Sequence, residues 1–429
     1  MINSRRFRAL LFVLFACSLC YAQQQPAQPA AAAPAAADAS TDAARAHFDE
    51  LRARGSEALY NLDYEEARRI FTEMQRDYPE SPAGPQSLAS SLWLQTLNES
   101  RRLQSALYNS KSFYAKSEDK VAPKTIEQFK AYTREAKARA EARLKQDPND
   151  IDALYALGQI TGLQAAFAGA VERRFMAALR NGMDSVDYHR KVLKLDPNFH
   201  DAEITIGLYE YVLGSLSFPV RLMLKVGGMS GSKKKGLARL EGVVANGTRA
   251  NDDARVLLIT LYKREKRYPD ALRYARELAE KYRRNYLFKL EVADALIAQS
   301  VVDRKAGQDT TAAEAEAFGI FDTMLHETAG RALTSAALDL IHYRYGEALF
   351  AVGQFERASQ QFLAATKARD AAPGLISMAY LRAGQSLDLT GKRTEAVSAY
   401  NAVLSRPDVF DMYSEAQRGL HAPYVNKTR

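Results

Sequence analysis

Apolar and polar positions from Leu51 onward follow the period of an α-helix, and almost none of the chain shows the two-residue alternation of a β-strand. Residues 55–79 illustrate the unit of this pattern. Gly55 permits close approach of two helices, Asp63 precedes a second helix, and Pro79 ends that helix. The pattern therefore predicts helices that pack in pairs.

The same order of residue types returns further along the chain. A small residue, an alanine and a larger apolar residue follow one another as Gly55, Ala67 and Phe71 do. The matching residues are Gly346, Ala358 and Phe362, then Gly384, Ala396 and Tyr400. Residues 254–278 repeat the pattern in a weaker form with Tyr262, Tyr268, Ala271 and Leu278, but Arg283 replaces the terminal proline. In another hairpin, opened by Gly158, about 15 extra residues separate the two parts.

These residues resemble the tetratricopeptide repeat (TPR) in type and spacing. The resemblance implies an all-α, TPR-like, right-handed helical-hairpin solenoid with irregular insertions. We expect it to cover residues 43–410, with a capping helix and tail at 411–429. The small residues fit where two helices cross, and the larger ones fill the space toward the neighbouring repeat.

The N-terminus has the pattern of an export signal. Arginines precede an apolar run at residues 9–22, which is too short to span a bilayer as a helix. We predict a signal peptide at 1–22, cleaved after Ala22, and an exported, periplasmic protein of the bacterial type. A lipoprotein anchored through Cys17 and an uncleaved anchor are the alternatives. Residues 23–42 are rich in Ala, Pro and Gln and predict a disordered linker.

Composition narrows the chemistry. The two cysteines, Cys17 and Cys20, both lie in the predicted signal, so disulfides and cysteine metal sites are excluded from the mature chain. Loss of three signal arginines would lower the net charge from +8 to +5 (8 − 3). Apolar residues make up 47% and charged residues 26%, which excludes a wholly disordered chain and a multi-span membrane protein.

No catalytic motif is evident. None of the six histidines makes a HExxH motif or a pair at metal-ligand spacing, and no G-x-S-x-G motif occurs. Carboxylates such as Asp63, Asp252 and Asp253 stand at predicted helix starts, where capping accounts for them. We therefore expect no enzyme activity, no cofactor and no metal; an enzyme of unknown type is the remote alternative.

The resemblance also implies where a partner binds. In TPR proteins the first helix of each hairpin lines a concave groove, so exposed residues there are candidates for partner binding. Tyrosines offer contact area, and Lys263 with Arg264 is suited to hold a carboxylate. The function predicted is that of an exported scaffold binding a protein or peptide in the cell envelope. The candidates are Tyr155, Gln159, Leu208, Tyr211, Lys263, Arg264, Tyr343, Glu347, Gln385 and Asp388.

Residues 207–240 break the repeat. An apolar stretch containing Pro219 leads to a Gly/Ser loop and three lysines, and residues 221–239 hold six cations and no acid. Pieces of this segment distantly resemble a eukaryotic TPR family linked to the mitochondrial outer membrane and to inclusion clearance, which implies a shared fold only.

Two interpretations of this segment stay open, and a phosphate cradle is rejected because no strand precedes the glycines. The favoured one packs the apolar residues inside the solenoid and leaves the lysines in solvent. The alternative is a membrane-surface-associated factor that docks a partner or an anionic bilayer through residues 215–239. The docking candidates are Phe218, Leu222, Met223, Lys233, Lys234 and Lys235.

Residues 99–146 combine twelve cations and six acids with interleaved aromatic residues. Basic residues with aromatic ones are compatible with nucleic-acid binding. Because an exported protein does not normally meet nucleic acid, we instead predict two long amphipathic helices with a solvated basic face, and no nucleic-acid partner.

Overall fold

The computed structural model describes residues 38–103, 121–226, 230–328 and 337–426. Within these ranges the chain forms 18 α-helices, one 3₁₀ turn at His200–Ala202 and no strand. The described residues fall into two compact units. Unit 1 holds those up to 96 and from 121 to 261, and unit 2 holds those from 97 to 103 and from 262 onward. The sequence had predicted one continuous solenoid.

Ten helices begin in unit 1, and the last residues of α3 and α10 belong to unit 2. They are α1 (Asp38–Tyr60), α2 (Tyr64–Asp77), α3 (Ala83–Glu99), α4 (Pro123–Gln146), α5 (Ile151–Ala170), α6 (Phe175–Leu195), α7 (Glu203–Ser215), α8 (Phe218–Val226), α9 (Lys233–Asn246) and α10 (Asn251–Arg264).

The remaining helices lie in unit 2. They are α11 (Tyr268–Lys281), α12 (Tyr286–Lys305), α13 (Thr311–Thr328), α14 (Leu338–Ala351), α15 (Phe355–Lys367), α16 (Pro373–Leu389), α17 (Arg393–Leu404) and α18 (Met412–His421).

A glycine facing an aromatic ring marks the crossing of the two helices in a hairpin. The ring stands 16 positions after the glycine in each case (71 − 55, 362 − 346 and 400 − 384). A Cβ atom on the glycine would lie far inside van der Waals distance of the ring, so only glycine fits. The pairs are Gly55 and Phe71 at 2.3 Å, Gly346 and Phe362 at 2.7 Å, and Gly384 and Tyr400 at 2.6 Å.

The α5–α6 hairpin makes the same contact across a longer connection. A Cβ atom on Gly158 would lie 2.4 Å from Nε2 of His189, which stands 31 positions later, so this hairpin holds 15 extra residues (31 − 16). Both helices are longer than those of the α14–α15 hairpin, at 20 and 21 residues against 14 and 13. The insertion therefore extends the hairpin beyond the crossing and leaves the crossing unchanged.

Within unit 2, the residues just after α3 form a buried ion pair. Nε of Arg101 donates to both carboxylate oxygens of Asp339, at 2.9 and 3.0 Å. The same carboxylate accepts the backbone N–H of Ala372 at 3.0 Å. Tyr286 adds a hydrogen bond to Asn98 at 2.9 Å. These contacts explain why residues 97–103 belong to unit 2.

The chain ends differ in part from expectation. The signal peptide and Cys17 lie outside the described residues. Helix α1 begins at Asp38, so residues 38–42, which the sequence placed in the linker, are helical. The helix expected near 411–420 is α18. In the part of the chain that the structure describes, no helix is both long and apolar enough to cross a membrane.

Candidate functional site

Charged side chains from successive first helices of the hairpins in unit 2 form one connected row. Lys263 on α10 places its Nζ 2.8 Å from Oε2 of Glu291 on α12 and also pairs with Asp294. Asp294 is shared with Arg344 of α14, whose Nη2 lies 2.7 Å from its Oδ1. One carboxylate thus joins cations from two helices on either side of its own.

The row continues from α14 to α16. Nη1 of Arg382 donates to Oε1 of Gln385 at 2.8 Å, and its Nε donates to Glu347. The guanidinium lies over the ring of Phe350, 3.8 Å from the ring centroid. This combination of ion pair and cation–π contact fixes the orientation of the guanidinium. We call this set the polar row: Lys263, Glu291, Asp294, Arg344, Glu347, Arg382 and Gln385.

Mutual pairing keeps the polar row charged despite its burial. Burial by itself would lower the pKa of Lys263, but the carboxylates of Asp294 and Glu291 outweigh it, so that pKa is raised. Burial would likewise raise the pKa of Asp294, but Arg344 and Lys263 lower it. The row carries three cations and three carboxylates, so its formal charge is zero.

The polar row is only partly covered. The exposed side-chain fraction is 29% for Asp294, 32% for Glu347 and 21% for Arg382, whereas Lys263 and Arg344 keep 6% each. Two carboxylates and one guanidinium are therefore accessible from solvent, and the other two cations lie beneath them. A ligand with its own charged or amide groups would meet preoriented partners here.

The structure brings some sequence candidates of unit 2 into this row. Lys263, Glu347 and Gln385 belong to it, and Tyr343 is buried beside it with its pKa raised by burial. Lys263 does hold carboxylates, but those of its own chain. Asp388 is fully buried and binds Arg393, the hydroxyl of Tyr400 and the backbone of Tyr424. Arg264 is half-buried outside the row.

The candidates of unit 1 lie in the core, which corrects the expectation that they are exposed. Tyr155, Leu208 and Tyr211 are 0–2% exposed. Gln159 is half-buried and bonds to the hydroxyl of Tyr155 at 2.8 Å and to Gln86 at 2.7 Å. The physical reason is that α5 and α7 are apolar on nearly all sides and are covered by neighbouring helices.

Four members of the row were missed by sequence reasoning: Glu291, Asp294, Arg344 and Arg382. A signal was present, because Glu291 and Asp294 stand three residues apart in the first part of α12, where Lys289 is the only other charged residue. Isolated charges inside an apolar helix are rarely buried without partners.

Helix α8 contradicts the favoured prediction of internal packing. Phe218 is 68% exposed and Leu222 is 55% exposed. Among the described side chains of α8, Val220 packs against the buried cluster of α6 and α7, so the residues two positions before and after it face away. Pro219 stands in the first turn of the helix, as expected. The side chain of Met223 lies outside the described residues.

Cations surround these apolar side chains. Arg221, Lys225, Lys234 and Lys235 are exposed, and none has a carboxylate partner among the described residues. Lys233 is half-buried with its Nζ 6.0 Å from the ring centroid of Tyr211. Arg239 is engaged by Glu203 and Glu210. We call Phe218, Arg221, Leu222, Lys225, Lys234 and Lys235 the α8 surface.

In unit 1, burial is the main influence on the pKa of two ionisable groups. Burial lowers the pKa of His189 to about 3, and its Nδ1 lies 2.5 Å from Oγ1 of Thr205. Burial raises the pKa of Asp253 well above its usual range; the hydroxyl of Tyr60, which donates to this carboxyl, opposes the rise, and the carboxylates of Asp252 and Asp201 add to it. Burial therefore favours the neutral form of both groups.

One group of side chains has potential metal ligands close together. The ligand atoms of His47, Glu73 and Asp77 lie within 4.8 Å of one another. Arg76 already donates two hydrogen bonds to Asp77, at 2.7 and 3.2 Å, so this group is a surface charge network.

In α4, Phe129 stacks on Phe167 with ring centroids 3.8 Å apart, which makes it a core residue. Residues 104–120, with Tyr108, Phe113 and Tyr114, lie outside the described part.

The repeated contact of a glycine with a ring at a constant spacing decides the fold type. The chain has a TPR-like fold. No protein-family model and no curated protein matches the sequence. Among solved structures, a human IFIT1 dimer with PPP-AAAA is similar over 88% of this chain and 84% of that chain, with 13% identity and a TM-score of 0.45.

Two further solved structures are similar at comparable identity. A tetratricopeptide repeat protein from Parabacteroides merdae covers 78% of this TPR-like chain and 99% of its own, with 14% identity and a TM-score of 0.30. The hetero-tetramer Cut9–Hcn1 of the APC/C covers 85% and 88%, with 11% identity and a TM-score of 0.19. At these values the likeness concerns the fold alone.

One sequence-based prediction requires correction. We excluded nucleic acid as a partner, whereas the similar IFIT1 structures hold triphosphate or capped RNA. The exclusion of nucleic acid is therefore wrong. It was based on the predicted export signal and not on any property of the TPR-like fold.

Proposed function

We propose that this chain is a non-catalytic TPR-like scaffold that binds a protein or peptide partner in the cell envelope through the polar row of unit 2. The observation that carries the proposal is the sharing of Asp294 between Lys263 and Arg344, with Glu347 and Arg382 continuing the network onto α16. Four successive first helices thereby present one continuous polar face.

The geometry favours an extended polypeptide as the ligand. The accessible groups of the row include both signs, with carboxylates at Asp294 and Glu347 and a guanidinium at Arg382. A peptide backbone offers N–H donors and carbonyl acceptors at regular intervals, so it can address both kinds of group. Because the row is already ordered by its internal pairs, little side-chain entropy is lost on binding.

The envelope location is the part of the proposal that rests on sequence. It is supported by the arginines and the apolar run at residues 5–22. The mature mass of the protein in cell fractions tests it. A chain starting at Gln23 supports export, and a lipid-modified chain starting at Cys17 supports the anchored form. An intact Met1 in the cytoplasmic fraction overturns the location.

Site-specific photocrosslinking tests the binding face. A photoreactive residue at Met378, half-buried on α16 one turn before Arg382, should capture the partner in intact cells. The matched control is Gln360, which is exposed on α15, a second helix of the same unit. Equal capture from both positions would show that the polar row is not the binding face.

A charge exchange separates binding from folding. Glu347→Arg combined with Arg382→Glu keeps an ion pair but reverses its direction, so the captured partner should be lost while the helices persist. The control exchanges an exposed pair between Glu356 of α15 and Lys392, the residue before α17, whose atoms lie 2.6 Å apart. This variant, Glu356→Lys with Lys392→Glu, should bind normally. Triphosphate RNA is assayed beside peptides, since similar IFIT1 structures contain it. Binding of RNA that this exchange abolishes would replace peptide by RNA as the ligand.

A further inference from the structure

Beyond the scaffold role of unit 2, the α8 surface of unit 1 has the chemistry of a membrane contact. Phe218 and Leu222 lie one helical turn apart and expose 68% and 55% of their area. Large apolar side chains exposed together on one short helix mark an interaction site more often than chance exposure does.

The position of α8 is fixed by the core, so its exposed face is a property of the fold. Val220 packs against a buried cluster that includes Val186 of α6 and Leu213 of α7. Arg221 reaches the backbone carbonyl of Gly214, at the end of α7, with its Nη1 at 3.4 Å. These contacts hold one side of the helix and leave Phe218 and Leu222 on the other.

The lysines of α9 meet α8 at the same place. A Cβ atom on Gly214 would lie 2.4 Å from the backbone nitrogen of Lys233, the first residue of α9. The start of α9 and Arg221 therefore converge on Gly214. Lys234 and Lys235 follow at once and are exposed. Cations of both helices consequently lie near the same end of α7.

We propose that the α8 surface docks the chain onto an anionic lipid bilayer. Phe218 and Leu222 enter the region between headgroups and acyl chains, and Arg221, Lys225, Lys234 and Lys235 meet lipid phosphates. The four cations have no carboxylate partner among the described residues, so their counter-charge is free to come from outside the chain. Because Leu222 has no π-face on which a base can stack, the patch suits acyl chains better than bases.

A local fluorescence probe tests the contact in the full chain. The chain has one tryptophan, Trp93, which is 1% exposed and gives a constant background. In Phe218→Trp, vesicles of phosphatidylcholine with phosphatidylglycerol should shift the emission to shorter wavelength, and phosphatidylcholine alone should not. Leu222→Trp serves as a second probe. Met176→Trp is the control, because Met176 is 72% exposed on α6 of the same unit; its emission should not shift.

The contribution of the lysines to vesicle binding is measured in the Phe218→Trp chain. Lys234→Gln with Lys235→Gln should weaken vesicle binding about twenty-five-fold, the product of about fivefold for each lysine. Lys191→Gln with Lys194→Gln removes two exposed lysines of α6 and should leave binding unchanged. Because the probe reports position 218 itself, binding by the apolar residues 9–22 does not mimic the result.

Several outcomes would overturn the proposal. These are no shift at either probe with anionic vesicles, an equal shift at Met176→Trp, or an equal shift with phosphatidylcholine alone. A shift caused by polyglutamate or single-stranded RNA, and not by vesicles, would assign the surface to an acidic macromolecule. A shift that follows protein concentration without vesicles would assign it to a second copy of the chain.

Discussion

The two units treat ionisable side chains in opposite ways. In unit 2 the buried cations Lys263 and Arg344 share the carboxylate of Asp294, so each charge is satisfied within the chain. In unit 1, burial favours the neutral forms of His189 and Asp253, and the cations of the α8 surface are exposed to solvent. A ligand that binds the polar row must compete with ion pairs that already exist within the chain. The exposed cations of the α8 surface can instead pair directly with an external anion.

The largest expected effect comes from removing the shared carboxylate. Asp294→Ala leaves Lys263 and Arg344 buried without their common partner, which should destabilise unit 2 by about 3 kcal/mol. Denaturant unfolding monitored by hydrogen exchange in α12 and α14 measures it. Glu356→Ala breaks an exposed pair of the same unit and should leave the midpoint unchanged. Equal denaturant midpoints for both variants would contradict the role of Asp294 as the shared partner of the two buried cations.

The neutral groups of unit 1 predict opposing pH dependences. The folded pKa of His189 lies below its unfolded value near 6.5, so its contribution is complete above pH 6.5 and is lost as the pH falls toward 3. The folded pKa of Asp253 lies above its unfolded value near 3.8, so its contribution is present below that value and is lost as the pH rises. Just above pH 4 the two slopes have opposite signs and therefore offset one another.

Single substitutions should expose each slope. His189→Phe, which places a ring like that of Phe71 in the hairpin, should make unit 1 less stable as the pH rises from 4 to 6.5. Asp253→Asn should make it more stable over the same range. Trp93 fluorescence follows the unfolding of unit 1. Parallel profiles in the two variants would mean that burial does not keep these groups neutral.

A smaller effect is expected at the hairpin crossings. Gly346→Ala introduces a Cβ atom 2.7 Å from the buried ring of Phe362, and we expect a loss of about 1–2 kcal/mol. Gly319 on α13 has nothing within 4 Å, so Gly319→Ala should stabilise by about 0.5–1 kcal/mol through helix propensity. Thermal unfolding compares the pair. The same sign in both variants would contradict the assignment of the crossing.

The smallest effect belongs to the α8 surface. Phe218→Ala with Leu222→Ala should change the free energy of unfolding by less than about 0.5 kcal/mol, because neither side chain is buried. Val220→Ala, which removes contacts with the cluster beneath, should cost roughly 1 kcal/mol. A double variant that unfolds more readily than Val220→Ala would restore the interpretation of internal packing.

The hairpins could be predicted because their signal is local and repeated. Gly55 with Phe71 and Gly384 with Tyr400 stand at a fixed spacing, and a close helix crossing demands those residue types wherever it occurs. The stretched α5–α6 hairpin was also visible, since its small residue and its closing turn remained in place. The sequence thus predicted the all-helical, TPR-like fold of the described residues.

The candidate site was less accessible to sequence reasoning. Lys263 and Glu291 are 28 positions apart, and Glu347 and Arg382 are 35 apart, so their pairing appears only when neighbouring hairpins pack. Tyr155 and Tyr211 were expected to be exposed because repeat phase reports which helix a residue occupies, and not how many neighbours cover it. The exposure of Phe218 was not predicted, because the apolar pattern of a short helix does not show which of its sides packs against the core.

The α5–α6 hairpin also has a practical consequence for protein engineering. Gly158 meets His189 as Gly55 meets Phe71, although 15 more residues run between them (31 − 16). Register at the crossing is therefore independent of the length of the chain that joins the two helices. The tip of such a hairpin is a natural insertion point for an affinity tag or a reporter peptide, because the added segment would project past the crossing without altering it.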